Sequence, residues 1–197
     1  MMKLAEERKQ NQETQQSQQR FDGRLSPRSL QITHDLGNLN LPDGVKLRFP
    51  NKDNIREMEF LISPSEGYWK GGNFLFRVSF PEDYKFSPPN VHCLTKVYHP
   101  FILEDGQVDM GLLRIDRNQG WTPSKGIQDL TFSLIIFLFI ETPPTDSCTR
   151  CGAMMRNDHE QFLLNVAASF RGEVVDGQQY ERQPIEYGFP GSNQTTQ

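Results

Sequence analysis

Three alternating apolar stretches, VKLRFP at 45–50, EFLIS at 59–63 and NFLFRVSF at 73–80, are separated only by short turn-rich connections. Alternation places every second residue on one side of an extended chain, so Val45, Leu47 and Phe49, then Phe60 and Ile62, then Phe74, Phe76, Val78 and Phe80 each form one apolar face. Strands this close together can only be joined as hairpins, which predicts an antiparallel meander. The segment PEDYKFSPPN must then leave the sheet, because Pro88 and Pro89 cannot donate ladder hydrogen bonds. VHCLTKVY offers a fourth strand after it.

The flanking segments change period. Before the sheet, SPRSLQITHDLGNLNLP spaces Leu30, Thr33 or His34, and Leu36 as a helix, with Ser26 or Ser29 as cap and Pro42 as stop. Beyond it, Ser124 is the expected cap of a helix carrying Ile127, Leu130, Leu134, and Phe137 or Leu138, ending at Glu141-Thr142-Pro143-Pro144. HEQFLLNVAASFRGE repeats Phe162, Val166 and Phe170 at helical spacing, with Gly172 just past the end. A helix, four antiparallel strands and then helices make an α+β domain with its helices segregated from the sheet.

The chain has 197 residues, enough for one domain. Residues 1–27 hold Gln, Glu, Lys and Arg with hardly any apolar residues after Leu4, and 183–197 mix Pro184, Gly188, Pro190 and Gly191 with polar residues. Neither composition can offset its ordering entropy, so both read as flexible ends around a core at 28–182. A net charge of -4, with no basic stripe interleaved with aromatics, argues against nucleic acid. The longest apolar run, LTFSLIIFLFI at 130–140, is too short to span a bilayer and reads as a buried helix. No apolar signal segment follows the first residues, and Cys93, Cys148 and Cys151 form an odd set, so the expected compartment is cytoplasmic or nuclear. Asn193-Gln194-Thr195 then reads as a chance glycosylation match.

Several separate motifs in this order, PEDYKFSPPNV, VYHP, GxVxxxxLR, Trp121 with Pro123, and FIETPPTD, resemble the ubiquitin-conjugating enzyme family across about residues 29–182. LNLP, SPSEGYWKGGNF, KVYHP, LLR, Arg171-Gly172, YER at 180–182 and the opening MMKL are similar to the branch that conjugates the ubiquitin-like modifier Nedd. The resemblance implies the family's fold, no cofactor, and three kinds of partner: the activating enzyme, a RING-type ligase and the modifier. It implies that Met1, Met2 and Leu4 insert into the activating enzyme, with an acetylated first Met entering a ligase accessory protein. Ala5 stands where that branch has a larger apolar residue, so docking should be weaker. It also implies that a ligase touches Phe86 and Pro123, although each is equally explained as local packing or turn material.

The resemblance fails where the chemistry should be. Family members carry the modifier as a thioester on a cysteine ten residues beyond the His of an HPN turn. Here that turn reads His99-Pro100-Phe101, and the count from His99 reaches Asp109. A thiol with pKa near 8.5 supplies some thiolate at neutral pH, and thioester exchange is nearly balanced in energy. A carboxylate such as that of Asp109 attacks thioesters poorly and would give a mixed anhydride open to hydrolysis. Phe101 brings no hydrogen bond in place of the Asn amide, whose loss at an oxyanion-type position costs about 10²-fold or more.

Structure alone offers Asp109 a role, as the N-cap of the short apolar run after it. Glu104, Asp105 and Asp109 lack the full oxygen set of a calcium loop and read as a solvated acidic turn, so no metal is expected. Cys93 falls in a strand pattern as a packed thiol. Cys148 and Cys151 form a CxxC without two further zinc ligands, and read as ordinary thiols or, in the functional alternative, as a displaced nucleophile. The expectation is therefore an inactive conjugating-enzyme relative that binds partners. Its rivals are an active enzyme using another cysteine and a degenerate duplicate.

Overall fold

A computed structural model describes residues 26–115, 120–140 and 149–189. The arm candidates Met1, Met2 and Leu4 lie outside the described residues, as do Cys148 and the expected helix stop at Glu141-Thr142-Pro143-Pro144. Helix α1 (Pro27–Gly37) leads into the meander β1 (Val45–Arg48), β2 (Glu57–Ile62), β3 (Phe74–Ser79) and β4 (Asn90–Cys93), antiparallel throughout in the order β1-β2-β3-β4. A 3₁₀ turn at Gly111–Leu113, helix α2 (Ile127–Phe132), a π-helical segment at Ser133–Ile140, and helices α3 (Arg150–Asn157) and α4 (His159–Phe170) follow. A two-stranded hairpin, β5 (Val174–Val175) with β6 (Gln178–Gln179), closes the order.

Alternation sets the two faces of the sheet. Met58, Phe60 and Ile62 stand opposite Val78, Phe76 and Phe74, and all six are buried on the inner face. The π-helical segment lies on that face through Phe139, whose ring stacks on Phe74 at 4.6 Å, and α4 adds Phe162 and Val166. Each fully buried Phe contributes about 1.5–3 kcal/mol, so these rings dominate the core. The outer face carries a cross-strand row instead. Glu59 accepts from Arg48 Nε at 2.8 Å and Arg77 Nη2 at 3.0 Å. Burial works against the Glu59 charge, but the two guanidiniums outweigh it and hold the carboxyl below its usual range.

Four local expectations change. Helix α1 has Ser26 as its cap, but it ends at Gly37, well before Pro42, and it buries Arg28 and Ile32 while Leu30 stays 54% exposed. Arg28 donates to the Phe80 carbonyl at 3.1 Å and Asp35 pairs with Lys85 at 2.8 Å, and these two anchors rotate the helix away from the apolar periodicity. Ser124 does not cap α2. Gly126 occupies that position, and its N–H donates to Asp129 Oδ2 at 2.8 Å. Residues 183–189, assigned by composition to the tail, lie along the outer face of the sheet, where Phe189 packs on Leu61 and Leu75. Two aromatics, Tyr187 and Phe189, with hydrogen bonds from Arg48 and Asn73, hold this Gly- and Pro-containing stretch there.

The π-helical turn also departs from the expected α-helix. Its wider winding brings Leu134, Ile135, Leu138 and Phe139 into the core together, where an α-helical face would have taken a narrower stripe.

Candidate functional site

The turn at 98–101 is built from the inside outward. Trp69, fully buried, donates its Nε1–H to the Tyr98 carbonyl at 2.9 Å and lies 4.2 Å from the His99 ring. His99 is 2% exposed and both ring nitrogens are engaged: Nε2 with the Leu138 carbonyl at 2.8 Å, and Nδ1 with the Phe101 N–H at 3.0 Å. A carbonyl only accepts and an amide N–H only donates, which assigns the neutral tautomer with the proton on Nε2. Burial pulls the imidazole pKa down to about 3, against a smaller opposing effect of the Leu138 carbonyl. His99, placed by the resemblance among the catalytic positions, thus ties the turn to the π-helical segment and moves no proton near neutral pH.

The same hydrogen bond fixes Phe101. Its carbonyl in turn accepts from the Asp109 N–H at 2.8 Å, and Ile102 pairs with Val108 in an antiparallel bridge. Phe101 and Asp109, separated by the acidic turn, are therefore brought side by side by the backbone. Gly106 makes the return possible. Its φ of +92° favours glycine, and a Cβ there would come within 2.3 Å of the Cys93 carbonyl.

Asp109 does not cap the following turn. Met110 occupies that position with no side-chain cap, and the Asp109 carboxylate is held by Arg114, Nη2 at 2.7 Å and Nε at 3.1 Å. An arginine five residues on competes successfully with the backbone amides because a guanidinium offers two directed charged donors. The pair is a surface contact, with the Asp109 side chain 48% exposed. In the acidic turn, Glu104 accepts from Gln178 and Asp105 from the Gln107 N–H.

A groove of about 500 Å³ runs beside the turn, walled by Tyr98, Ile102, Leu103, Thr149, Cys151 and Tyr180. Thr149 caps α3 by accepting from the Gly152 N–H at 3.0 Å and donates to the Pro100 carbonyl at 3.1 Å, which docks that helix on the turn. Cys151 is buried, and desolvation pushes its thiol well up despite the neighbouring Tyr98 hydroxyl. Burial likewise pushes Cys93 up to about 12, with its thiol directed at the Thr95 carbonyl. Neither supplies useful thiolate at neutral pH.

The two loops assigned to ligase contact come together elsewhere. Trp121 Nε1 donates to the Lys85 carbonyl at 3.0 Å, and Lys85 Nζ donates to the Lys125 carbonyl at 2.9 Å. Lys85 also pairs with Asp35, which accepts from the Tyr84 hydroxyl at 2.6 Å, so α1 and both loops form one knot. Lys85 takes a positive φ of 89°, and the next side chain, Phe86, stands 76% exposed. Pro123 is exposed on the neighbouring loop.

Helix α3 and the β5–β6 hairpin escaped the sequence reading. Asp176-Gly177 between Val174-Val175 and Gln178-Gln179 is a two-residue hairpin signal, and both turn residues take positive φ, 51° and 80°. For α3 the available signal was Thr149 as cap, which lies within the CxxC spacing of Cys148 and Cys151.

The family model for the ubiquitin-conjugating enzyme matches residues 31–169. The chain is 34% identical over 184 residues to the Nedd8-conjugating enzyme UbcE2M of Drosophila melanogaster, spanning 92% of this chain and 97% of that protein. To the NEDD8-conjugating enzyme UBC12 of Eremothecium gossypii it is 36% identical over 157 residues, 79% of this chain and 83% of the other. Among solved structures it is similar to S. cerevisiae Ubc12, with a TM-score of 0.72 at 27% identity over 91% of this chain and 97% of that one. With the meander, the buried His99 turn and matches spanning most of its length, the chain belongs to the ubiquitin-conjugating enzyme family.

Proposed function

We propose that this chain is a non-catalytic member of the family, tied to the pathway of a NEDD8-type modifier, that acts by holding the activating enzyme, a RING-type ligase or the modifier itself. One observation carries the reading: the position next to Phe101 that should present a thiol presents the carboxylate of Asp109, occupied by Arg114. The carboxylate has neither the polarizability nor the leaving-group match for thioester exchange, and its neighbour Phe101 offers the attacked carbonyl no donor. The partner surfaces do not depend on that chemistry. Phe86 and Pro123 sit on loops held rigid by Lys85 and Trp121, and an exposed phenyl ring on a fixed loop is the kind of anchor that binding energy concentrates on.

The rival, an active enzyme using another cysteine, finds little support at Cys93 and Cys151, whose thiols are buried and raised in pKa. It rests on Cys148. One gel separates the readings. The purified chain is mixed with activating enzyme, ATP and each modifier in turn, then run without reductant. The expected result is no reductant-sensitive adduct, and a weak adduct on Asp109→Cys, because that change restores the nucleophile while Phe101 remains. An adduct on the unaltered chain, lost on Cys148→Ser, would establish the rival. Failure of pull-downs to retain activating enzyme, ligase or modifier would leave a degenerate duplicate.

A further inference from the structure

The outer face of the sheet is finished by the last described residues of the chain. Leu61 and Leu75 stand opposite each other on β2 and β3, and Phe189 covers both, 3% exposed. The Arg48 guanidinium lies over the Phe189 ring at 4.5 Å from its centroid and donates to the Gly188 carbonyl at 3.3 Å. The Tyr187 hydroxyl shares a hydrogen bond with Thr95 Oγ1, and Asn73 Nδ2 donates to the Ile185 carbonyl at 2.9 Å. The covering segment, residues 185–189, lies beyond the family match, which ends at residue 169, whereas the face beneath it lies within that match.

The way the segment is held distinguishes it from a fifth strand. Its hydrogen bonds to the sheet run through the side chains of Arg48, Asn73 and Thr95 and through the Asn73 N–H, which donates to Gln183 Oε1 at 2.9 Å just before β3, whereas its own amides turn inward, Phe189 N–H to the Tyr187 carbonyl at 2.6 Å and Ile185 N–H to Gln183 Oε1 at 3.2 Å. It joins no ladder, so it can lift without unpairing β2 or β3. The surface beneath is already shaped. Leu61 and Leu75 are fixed by the paired strands, and Glu59 keeps Arg48 in place at 2.7 Å with or without the ring above it.

We propose that this face is a binding site for an extended segment with two aromatic side chains one residue apart, and that the chain's own Tyr187-Gly188-Phe189 is its occupant, a strap that shuts the site in cis. The recognition chemistry is read from the strap: a ring between Leu61–Leu75 and Arg48, a phenol at Thr95, and backbone carbonyls for Arg48 and Asn73. A tethered ligand works at an effective concentration on the order of millimolar, so a free segment of the same kind gains the site only when the strap is disabled or outcompeted. The inference is independent of Asp109 and of whether the chain conjugates anything.

The test uses the full-length chain and a fluorescent synthetic peptide of residues 183–197, titrated by anisotropy. The double substitution Tyr187→Ala with Phe189→Ala is expected to bind the peptide saturably, about tenfold or more tighter than the unaltered chain does. Adding Leu61→Asp should abolish that binding. In the unaltered chain, hydrogen exchange should release the amides at 185–189 about 10²-fold faster than those of β3, as a strap opening on its own requires. Equal exchange of the two segments would make the strap part of the core and overturn the proposal. So would a folded double variant that fails to bind the peptide, or a double variant that fails to fold.

Discussion

The turn at 98–101 and the segment at 109–114 touch through one backbone hydrogen bond, yet they are held in opposite ways. The turn is secured by buried contacts: Trp69 on the Tyr98 carbonyl, His99 on Leu138 and on the Phe101 amide. The segment is placed by Val108 and Met110, which are buried, while the Asp109 side chain between them is 48% exposed and pairs with Arg114. The difference teaches that a scaffold and an exposed side chain it presents answer to separate constraints. Packing reports at once on any change at Trp69 or His99. It is nearly blind to what stands at 109.

The largest break in that comparison should come from Trp69→Ala. Removing a fully buried indole and its hydrogen bond is expected to cost about 3–5 kcal/mol, read from the urea midpoint. His99→Ala comes next, at about 2–4 kcal/mol, since it removes the hydrogen bonds to the Leu138 carbonyl and the Phe101 amide and leaves a void beside Trp69. The same residue gives the pH dependence its sign. Folded His99 takes up a proton only near pH 3, whereas the unfolded residue does so near pH 6.5. Below pH 6.5 the unfolded state binds more protons, so the His99 contribution, fully present above that pH, is lost as pH falls toward 3. Unfolding free energies measured between pH 7 and 4 should fall by up to about 1.4 kcal/mol per pH unit more steeply for the unaltered chain than for His99→Ala.

A smaller effect on stability and a larger one on binding should mark Phe86→Ala. Its melting temperature should hardly move, because the ring is exposed, while ligase capture, if Phe86 anchors it, drops about tenfold or more in surface plasmon resonance. Unchanged capture would detach the ligase reading from this loop. Smallest of all, Asp109→Ala should shift stability by no more than about 0.5 kcal/mol, since the Arg114 pair is exposed to water. A loss several times larger would show that the pair braces the turn.

Much of the fold was legible because alternation and burial coincide: Phe60, Ile62, Phe74, Phe76 and Val78 line the inner face as their spacing predicts. The reading failed where polar anchors overrule hydrophobic periodicity. In α1, Arg28 and Asp35 set the rotation and leave Leu30 in solvent, which apolar spacing cannot foresee. The seat of Phe189 between Leu61, Leu75 and Arg48 is not legible in the Gly and Pro content of 183–189, because composition does not register where a ring packs. At the candidate site, counting from His99 singles out Phe101 and Asp109, but their backbone link required the folded return through Gly106. The Asp109 cap was a reasonable local guess that ignored an arginine five residues ahead.

Val108 and Met110 anchor the chain on either side of residue 109, so whatever side chain is installed there must project outward from an unchanged backbone. The position is in effect an empty tool holder. A photoreactive, selenol or fluorophore-bearing amino acid introduced at 109 should sit beside the His99 turn and record which molecules visit that spot while the rest of the protein keeps its shape.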